Sequence, residues 1–168
     1  LLGRRPSTIL TDQDRVVFSG QRVLITGAGG SVGSVLARQI AACGPKHLGL
    51  FDNGEHGLFR VERQIAEEYP DVPVEPFLAD ITRARALRLA CRGAQPDVIF
   101  HAAAYKHVPM LESNPIEGVW NNVIGTKRVT EACSWAGVES LVVVSTDKAV
   151  RPTNLMGASK RFAELIVQ

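Results

Sequence analysis

The densest group of chemically active side chains in this sequence lies in residues 145–160, which read STDKAVRPTNLMGASK. The segment directly follows the apolar run LVVV and carries hydroxyl, carboxyl and amino groups. Its last residue, Lys160, comes four positions after Met156. In a large class of nicotinamide enzymes this spacing reads Tyr-x-x-x-Lys, and the Tyr phenol is the catalytic base. A thioether cannot accept a proton at neutral pH, so either the segment is not an active site or another residue replaces the Tyr.

A second group of residues with a physical role is the glycine-rich stretch TGAGGSVG, which separates a strand pattern from a helical pattern. Gly27 permits a tight turn, Gly30 lets the backbone approach a pyrophosphate, and Gly33 allows the helix to pack closely on the strand. The helix N-terminus offers free N–H groups to phosphate. Asp52 ends the next apolar run, nineteen residues after Gly33, where a carboxylate binds adenosine ribose hydroxyls. Together these features predict a dinucleotide site.

The carboxylate of Asp52 also indicates which dinucleotide is bound. It would repel a 2′-phosphate, and no Arg immediately follows it, so the sequence favours NAD and leaves NADP open. Asp80 ends the third strand pattern, where it is placed either to meet the adenine edge or to cap the following helix. The residues that these patterns place around the cofactor are Gly27, Gly29, Gly30, Ser31, Val32, Gly33, Asp52, Asn53, Asp80, Ile81, Ala102, Ala103 and Ala104.

Strand and helix patterns alternate five times along the chain, and most of the strand patterns are continuously apolar. This alternation predicts a doubly wound α/β domain, a Rossmann fold in which helices cover both faces of a parallel sheet. The expected strands are 22–26, 46–52, 74–81, 96–104 and 140–146. The expected helices are 31–44, 57–69, 83–93, 115–137 and 156–168.

The domain organisation follows from the same patterns. We expect residues 1–20 to be an irregular linker or N-terminal arm and residues 21–168 to be a nucleotide-binding Rossmann domain. Since the first residue is Leu and the sequence stops within the fifth helix, we expect a fragment that is truncated after strand five and part of the following helix.

Composition excludes several classes of function. The 168 residues carry a formal net charge of +2 and no basic tract, which argues against a nucleic-acid partner. The four His and three Cys residues lack metal-ligand spacing, so we expect no metal. The odd number of cysteines indicates reduced, structural thiols in a cytoplasmic setting. His101 ends a strand and is expected to be a satisfied core residue.

Five motifs in order, TGAGGSVGS, HAAAYKHVPMLESNP, NNVIGT, STDKAVRPTN and MGASKR, resemble those of the extended short-chain dehydrogenase/reductase superfamily. Within it, they resemble the CapD-like polysaccharide-biosynthesis nucleotide-sugar 4,6-dehydratases, and the resemblance covers nearly the whole chain. The leading LLGRRP is similar to the linker that joins this domain to membrane-anchored segments in long members of the family. Met156 resembles the residue found in that long branch. The resemblance therefore implies a cytoplasmic domain of an inner-membrane-associated parent protein.

The resemblance implies a reaction on a UDP-N-acetylhexosamine, usually UDP-GlcNAc. The sugar is oxidised at C4 by bound NAD(P)+, water is eliminated across C5 and C6, and the hydride returns to C6. The 4-keto-6-deoxy product serves surface polysaccharide or glycan assembly. Family members commonly associate through the long helices after strands four and five, so the resemblance also implies a homo-oligomer. Trp120 and Trp135 on the first of these helices are expected to make packing or oligomer contacts.

The family also implies roles for individual residues. Lys148 is the base at C5, Asp147 is the acid for the C6 hydroxyl, and Thr146 binds the C4 oxygen. These roles need a neutral Lys148 and a protonated Asp147, and we expect burial and mutual proximity to shift both pKa values accordingly. Lys160 holds the nicotinamide ribose. Asn122 matches the Asn of the N-x-x-G-T motif, which orders the helix beside the site.

Some assignments remain open at this stage. Lys106 and His107 are placed to touch the nicotinamide or the substrate diphosphate, whereas Lys148 and Lys160 could instead be solvated. For the missing Tyr base, our hypothesis is that Asp147 takes the C4 hydroxyl proton, with Tyr105 ranked second. The alternative functions are a UDP-sugar C4 epimerase or dehydrogenase, and an NAD-binding module without turnover. The resemblance also implies that the C-terminal substrate-binding part is absent from this chain, so we expect the fragment alone to be inactive.

Overall fold

The central element of the fold is a sheet of five parallel strands, seen in a computed structural model that describes residues 12–168. The strand order is β3-β2-β1-β4-β5, which confirms the predicted doubly wound Rossmann fold. The strands are β1 Arg22–Thr26, β2 His47–Asp52, β3 Val74–Leu78, β4 Val98–His101 and β5 Ser140–Val143.

Helices cover both faces of this sheet because neighbouring residues of each central strand point in opposite directions. In β1, Val23 and Ile25 enter one core cluster while Leu24 enters the other. Within residues 12–168, the α-helices are α1 Asp12–Phe18, α2 Ser31–Ala41, α3 Glu55–Glu68, α4 Ala84–Ala94, α5 Val108–Ser113, α6 Pro115–Val119, α7 Gly125–Ala136 and α8 Leu155–Val167. None of the helices in this described range is both long and apolar enough to cross a membrane.

The last three strands are shorter than expected, and two parts of the chain differ more substantially from the sequence-based expectation. The segment 1–20 is not irregular throughout, because α1 forms over Asp12–Phe18. Phe18 packs on Phe100 with ring centroids 5.6 Å apart, so α1 is joined to the core of the domain. The leading LLGRRP stretch lies outside the described residues.

The second difference concerns the chain after β4. The long helix expected over 115–137 does run without a break from Pro115 to Ala136, but Trp120–Ile124 form a π-helical turn between α6 and α7. A preceding short helix, α5, has no counterpart in the prediction. π-turns occur frequently at functional sites because they alter which side chains face inward, and this turn buries Asn121 and Asn122.

His101 is the last residue of β4 and is 1% exposed. The Thr126 hydroxyl donates to the Asn122 carbonyl, 2.6 Å, and therefore accepts from His101 Nε2, 3.0 Å. The Thr26 hydroxyl then donates to His101 Nδ1, 2.7 Å, so both ring nitrogens are satisfied. This confirms the prediction of a satisfied core histidine. Burial first, and the nearby Lys160 ammonium second, lower the pKa of His101 to about 3.

The depressed pKa of His101 predicts a loss of stability in acid. Between pH 6.5 and about 3 the unfolded chain binds a proton that the folded protein excludes. The free energy of unfolding should therefore fall by about 1.4 kcal/mol per pH unit on going down through this window. Urea unfolding at several pH values between 7 and 4 measures how the free energy of unfolding depends on pH. In His101→Gln this slope should be smaller by nearly 1.4 kcal/mol per pH unit, or about the whole contribution of one histidine. Equal slopes for both proteins would contradict the prediction.

Candidate functional site

The site begins at the turn between β1 and α2, where two backbones approach closely. Gly27 has a φ of +74°, which side chains rarely adopt. A Cβ atom placed on it would lie 2.5 Å from the backbone nitrogen of Ala103, in the segment after β4. Only glycine therefore fits this position, and the loops after β1 and β4 form the two sides of one crevice.

The other glycines of the loop have different surroundings. A Cβ on Gly33 would overlap the carbonyl oxygen of Gly27, and one on Gly29 would lie 2.8 Å from the carbonyl carbon of Gly57 in α3. At Gly30 an added Cβ would meet only the Gly27 oxygen, at 3.2 Å, among the described atoms. Gly33 and Gly29 are thus required for packing, whereas Gly30 faces open space at the N-terminus of α2.

The carboxylate of Asp52 connects the glycine loop to the start of α3. Its Oδ2 accepts from the backbone N–H of Gly29, 2.9 Å, and its Oδ1 accepts from that of Gly54, 2.7 Å. Each carboxylate oxygen has further lone-pair capacity. A cavity of about 330 Å³ opens beside it, lined by Gly27, Gly29, Gly30, Asp52, Asn53, Gly54, Gly57, Ala79, Ile81, Ala102, Ala103, Ala104, Tyr105 and Asn121.

Asp80 is not among the described residues that line this cavity. Its Oδ1 accepts from the backbone N–H and the hydroxyl of Thr82, both at 2.7 Å. Burial acts to raise the pKa of Asp80, but these hydrogen bonds and one from Asn53 outweigh it and lower the pKa. Asp80 thus organises the turn before α4, which is closer to the alternative expectation of a capping role. Its neighbours Ala79 and Ile81 line the cavity instead.

A second cavity, of about 550 Å³, contains most of the predicted catalytic residues. It is lined by Gly30, Ser31, Val32, Gly33, Ala102, Ala104, Tyr105, Lys106, Val144, Ser145, Thr146, Lys148, Met156 and Lys160. Lys106 Nζ lies 2.5 Å from the hydroxyl of Ser31, the first residue of α2. This places a cation over a helix N-terminus, where both the dipole and the ammonium attract an anion.

Lys160 and Met156 form the buried wall of the second cavity, 6% and 4% exposed. Lys160 Nζ donates to the carbonyl of Val144, 2.6 Å, directly after β5. Burial lowers the pKa of Lys160, and the charge of Glu164 opposes the shift. Lys160 is therefore not a solvated lysine, and the alternative expectation for it is wrong.

The side chains of Asp147 and Lys148 are exposed, whereas the sequence analysis expected a buried pair. Asp147 is 88% and Lys148 51% exposed at the side chain, and Asp147 is not among the described residues that line the cavity. The Thr146 hydroxyl donates to Asp147 Oδ1, 3.0 Å, and Lys148 Nζ lies 3.4 Å from the same oxygen. The Thr146 hydrogen bond first and the Lys148 charge second lower the pKa of Asp147. The carboxyl group of Asp147 is therefore ionised at neutral pH in this conformation, and the expectation that it is protonated is wrong.

Asn122 positions the site without lining either of the two cavities among the described residues. Its Oδ1 accepts from the Tyr105 N–H, 2.8 Å, and its Nδ2 donates to the Tyr105 carbonyl, 2.9 Å. The same amide donates to the Ser159 hydroxyl in α8, 2.9 Å. Asn122 thus joins the segment after β4 to α8, which extends the ordering role that the family resemblance implies.

His107 lies apart from the other predicted residues. It precedes α5 and lines a third cavity of about 390 Å³, together with Tyr105 and Lys106.

Sequence reasoning missed Asn121, the residue before Asn122, which lines the first cavity. The doublet Asn121–Asn122 was a usable signal, because two adjacent amides in a long helix are poor helix formers.

Comparisons with known proteins agree with this architecture. Residues 23–168 match the family described as "Polysaccharide biosynthesis protein". The chain also resembles the solved structure of a dTDP-glucose 4,6-dehydratase, DesIV of Streptomyces venezuelae, which has NAD and TYD bound. The TM-score is 0.74 at 26% identity, over 86% of this chain and 50% of that one.

Curated relatives cover nearly the same residues. Probable polysaccharide biosynthesis protein EpsC of Bacillus subtilis is 43% identical over 99% of this chain and 28% of its own length. A UDP-glucose 4-epimerase of Rickettsia canadensis is 35% identical, over 88% and 43%. The UDP-N-acetylglucosamine 4,6-dehydratase (inverting) of Campylobacter jejuni is 33% identical, over 86% and 42%. The chain thus spans less than half of each relative, and it belongs to the polysaccharide biosynthesis protein family of nucleotide-sugar dehydratases and epimerases.

Proposed function

We propose that the full-length protein is an NAD-dependent 4,6-dehydratase of a UDP-N-acetylhexosamine, with UDP-GlcNAc as the substrate to test first. The observation that carries the proposal is the 550 Å³ cavity, which combines the N-terminus of α2 with Thr146, Lys148 and Lys160. Such a cavity provides an anion site, hydroxyl and amino groups for proton transfer, and a buried cation. The dehydratase relative from Campylobacter jejuni supports the choice of reaction and substrate.

The residues present fit NAD. The first and second cavities share Gly30, Ala102, Ala104 and Tyr105, so together they form an elongated space on both sides of the glycine loop. The free lone pairs of Asp52 suit ribose hydroxyls at one end. The open face of Gly30 and the N-terminus of α2 suit the pyrophosphate, and Lys160 suits the nicotinamide ribose. When bound, NAD supplies the hydride acceptor for oxidation at C4.

The chain's own groups account for the proton movements. The ionised Asp147 accepts the C4 hydroxyl proton, relayed by the Thr146 hydroxyl that is bonded to it. Lys148 lines the cavity. Once it has released its ammonium proton to solvent, its neutral amine takes the C5 proton that the 4-keto group has acidified. Asp147 then returns its proton to the C6 hydroxyl, which leaves as water. This sequence starts from an ionised carboxylate, as the lowered pKa of Asp147 requires. Closure of the site on substrate must bring Asp147 within reach of the sugar.

We also propose that the parent protein is a homo-oligomer with a membrane anchor outside the described residues. Apolar side chains exposed on the helices after β4 and β5 support assembly there, namely Ile116, Trp120, Phe162 and Leu165. The anchor rests on the family resemblance alone, as does the assignment to surface polysaccharide assembly at the inner membrane.

The reaction is tested by NMR of full-length protein with UDP-GlcNAc in deuterated water. We expect a UDP-4-keto-6-deoxy sugar that carries deuterium at C5, because Lys148 exchanges its proton with solvent. Formation of UDP-GalNAc without a 6-deoxy product would instead identify a C4 epimerase, as the relative from Rickettsia canadensis is named.

The cofactor site is tested by Gly30→Ala. The added methyl group would occupy the space over the N-terminus of α2, so the Kd for NAD should rise at least about tenfold, or about 1.4 kcal/mol. Isothermal titration calorimetry measures the change. Gly93→Ala in α4 is the control, because its methyl would lie 3.2 Å from Glu75 Oε1 and 3.3 Å from the Phe77 ring, outside the described lining of both cavities. Equal affinities for the two variants would refute the assignment of Gly30.

The proton relay is tested by Asp147→Asn. An amide cannot accept the C4 proton, so single-turnover formation of reduced cofactor should slow by about 100-fold or more, with NAD affinity unchanged. Absorbance at the reduced nicotinamide band follows the step. Asp71→Asn, also an exposed carboxyl change, should have no effect. Full C4 oxidation by Asp147→Asn would leave Tyr105 as the remaining candidate base.

A further inference from the structure

The helix α8, which carries Met156 and Lys160, is held at its N-terminus by a residue distant in sequence. Glu112 of α5 accepts a hydrogen bond at Oε1 from the backbone N–H of Leu155, 2.7 Å. Leu155 is the first residue of α8, and its N–H has no acceptor within the helix. A carboxylate at this end also interacts favourably with the helix dipole.

A second contact completes the first turn of α8. The side chain of Asn154, the N-cap residue, accepts from the N–H of Gly157, 2.8 Å. Glu112 and Asn154 thus satisfy two of the first three N–H groups of α8. Apolar packing follows the same path, because a Cβ on Gly118 would touch both Leu111 of α5 and Leu155.

The first turn of α8 in turn supports the segment with the proton-transfer groups. A Cβ on Gly157 would overlap the carbonyl oxygen of Lys148, so the backbone of α8 lies directly against this residue. Lys148 belongs to the 3₁₀ turn Asp147–Ala149, whose N-cap is Thr146. A shift of the α8 N-terminus would therefore move the turn that carries these groups, as well as Met156 on α8 itself.

We infer that Glu112 is a positioning residue, which fixes the first turn of α8 and through it the 3₁₀ turn Asp147–Ala149. Its helix α5 follows closely after Lys106, which lines the 550 Å³ cavity, and α8 contributes Met156 and Lys160 to the same cavity. The Glu112–Leu155 hydrogen bond therefore joins the two chain segments that carry these residues. This inference rests on the proposed function for its catalytic consequence, whereas the mechanical coupling can be measured without turnover.

The test compares Glu112→Ala, Glu112→Gln and Ser113→Ala in the full-length protein. Hydrogen exchange of the amides in 147–157 should accelerate about fivefold or more in Glu112→Ala, the effect of losing a helix cap. Glu112→Gln keeps an acceptor oxygen and should restore most of the protection. Ser113→Ala, at the next and exposed position of α5, should match the parent protein.

Kinetics supply the second readout. In Glu112→Ala we expect kcat to fall about tenfold. The Kd for NAD should stay within about twofold of the original value, because Glu112 bonds to Leu155 of α8 and not to the glycine loop among the described residues. Unchanged exchange in 147–157 would overturn the inference, and so would acceleration that is equal in β1 and α3, which indicates general destabilisation. If the unsubstituted protein turns over no UDP-sugar, the proposed function fails. The hydrogen-exchange data then show by themselves whether Glu112 fixes the 3₁₀ turn Asp147–Ala149 through α8.

Discussion

The contact between Gly27 and Ala103 is the constraint on which the rest of the structure depends. It brings the loops after β1 and β4 together at the point where the strand order reverses, and it leaves no room for a Cβ atom on Gly27. Because parallel strands end at the same edge of the sheet, Gly27 and Ala103 lie in the wall of the 330 Å³ cavity, and the adjacent Ala102 and Ala104 line the 550 Å³ cavity as well. A side chain at Gly27 would separate the two loops and open the crevice that holds the candidate site.

Buried hydrogen bonds transmit this arrangement to the helices. Thr26, His101 and Thr126 form a continuous chain that ends on the carbonyl of Asn122 in the π-turn. The amide of Asn122 then holds both the Tyr105 backbone and Ser159 of α8. Each buried polar group in this chain has a partner, so the network favours one relative position of sheet, π-turn and α8.

The sequence predicted the features that arise from local pattern and failed where distant residues decide the outcome. The glycine loop, the end of β2 at Asp52 and the five alternations all follow from short-range periodicity. The exposure of Asp147 could not be read from its neighbours, because it depends on how the 3₁₀ turn packs on α8. The Glu112–Leu155 hydrogen bond spans 43 positions and leaves no mark in a single sequence.

The packing of α8 also gives a physical account of Met156. The side chain is 4% exposed and lines the same cavity as Lys160, where the related class of enzymes has a Tyr phenol. A thioether there fills space but cannot move a proton. An ionisable group near the cavity that is already deprotonated at neutral pH is Asp147, which lies on the turn pressed against α8. In the proposed dehydratase, the absence of a phenol on α8 therefore transfers the role of base to this neighbouring turn, and the geometry of the proposed reaction depends on the contacts that hold the turn and α8 together.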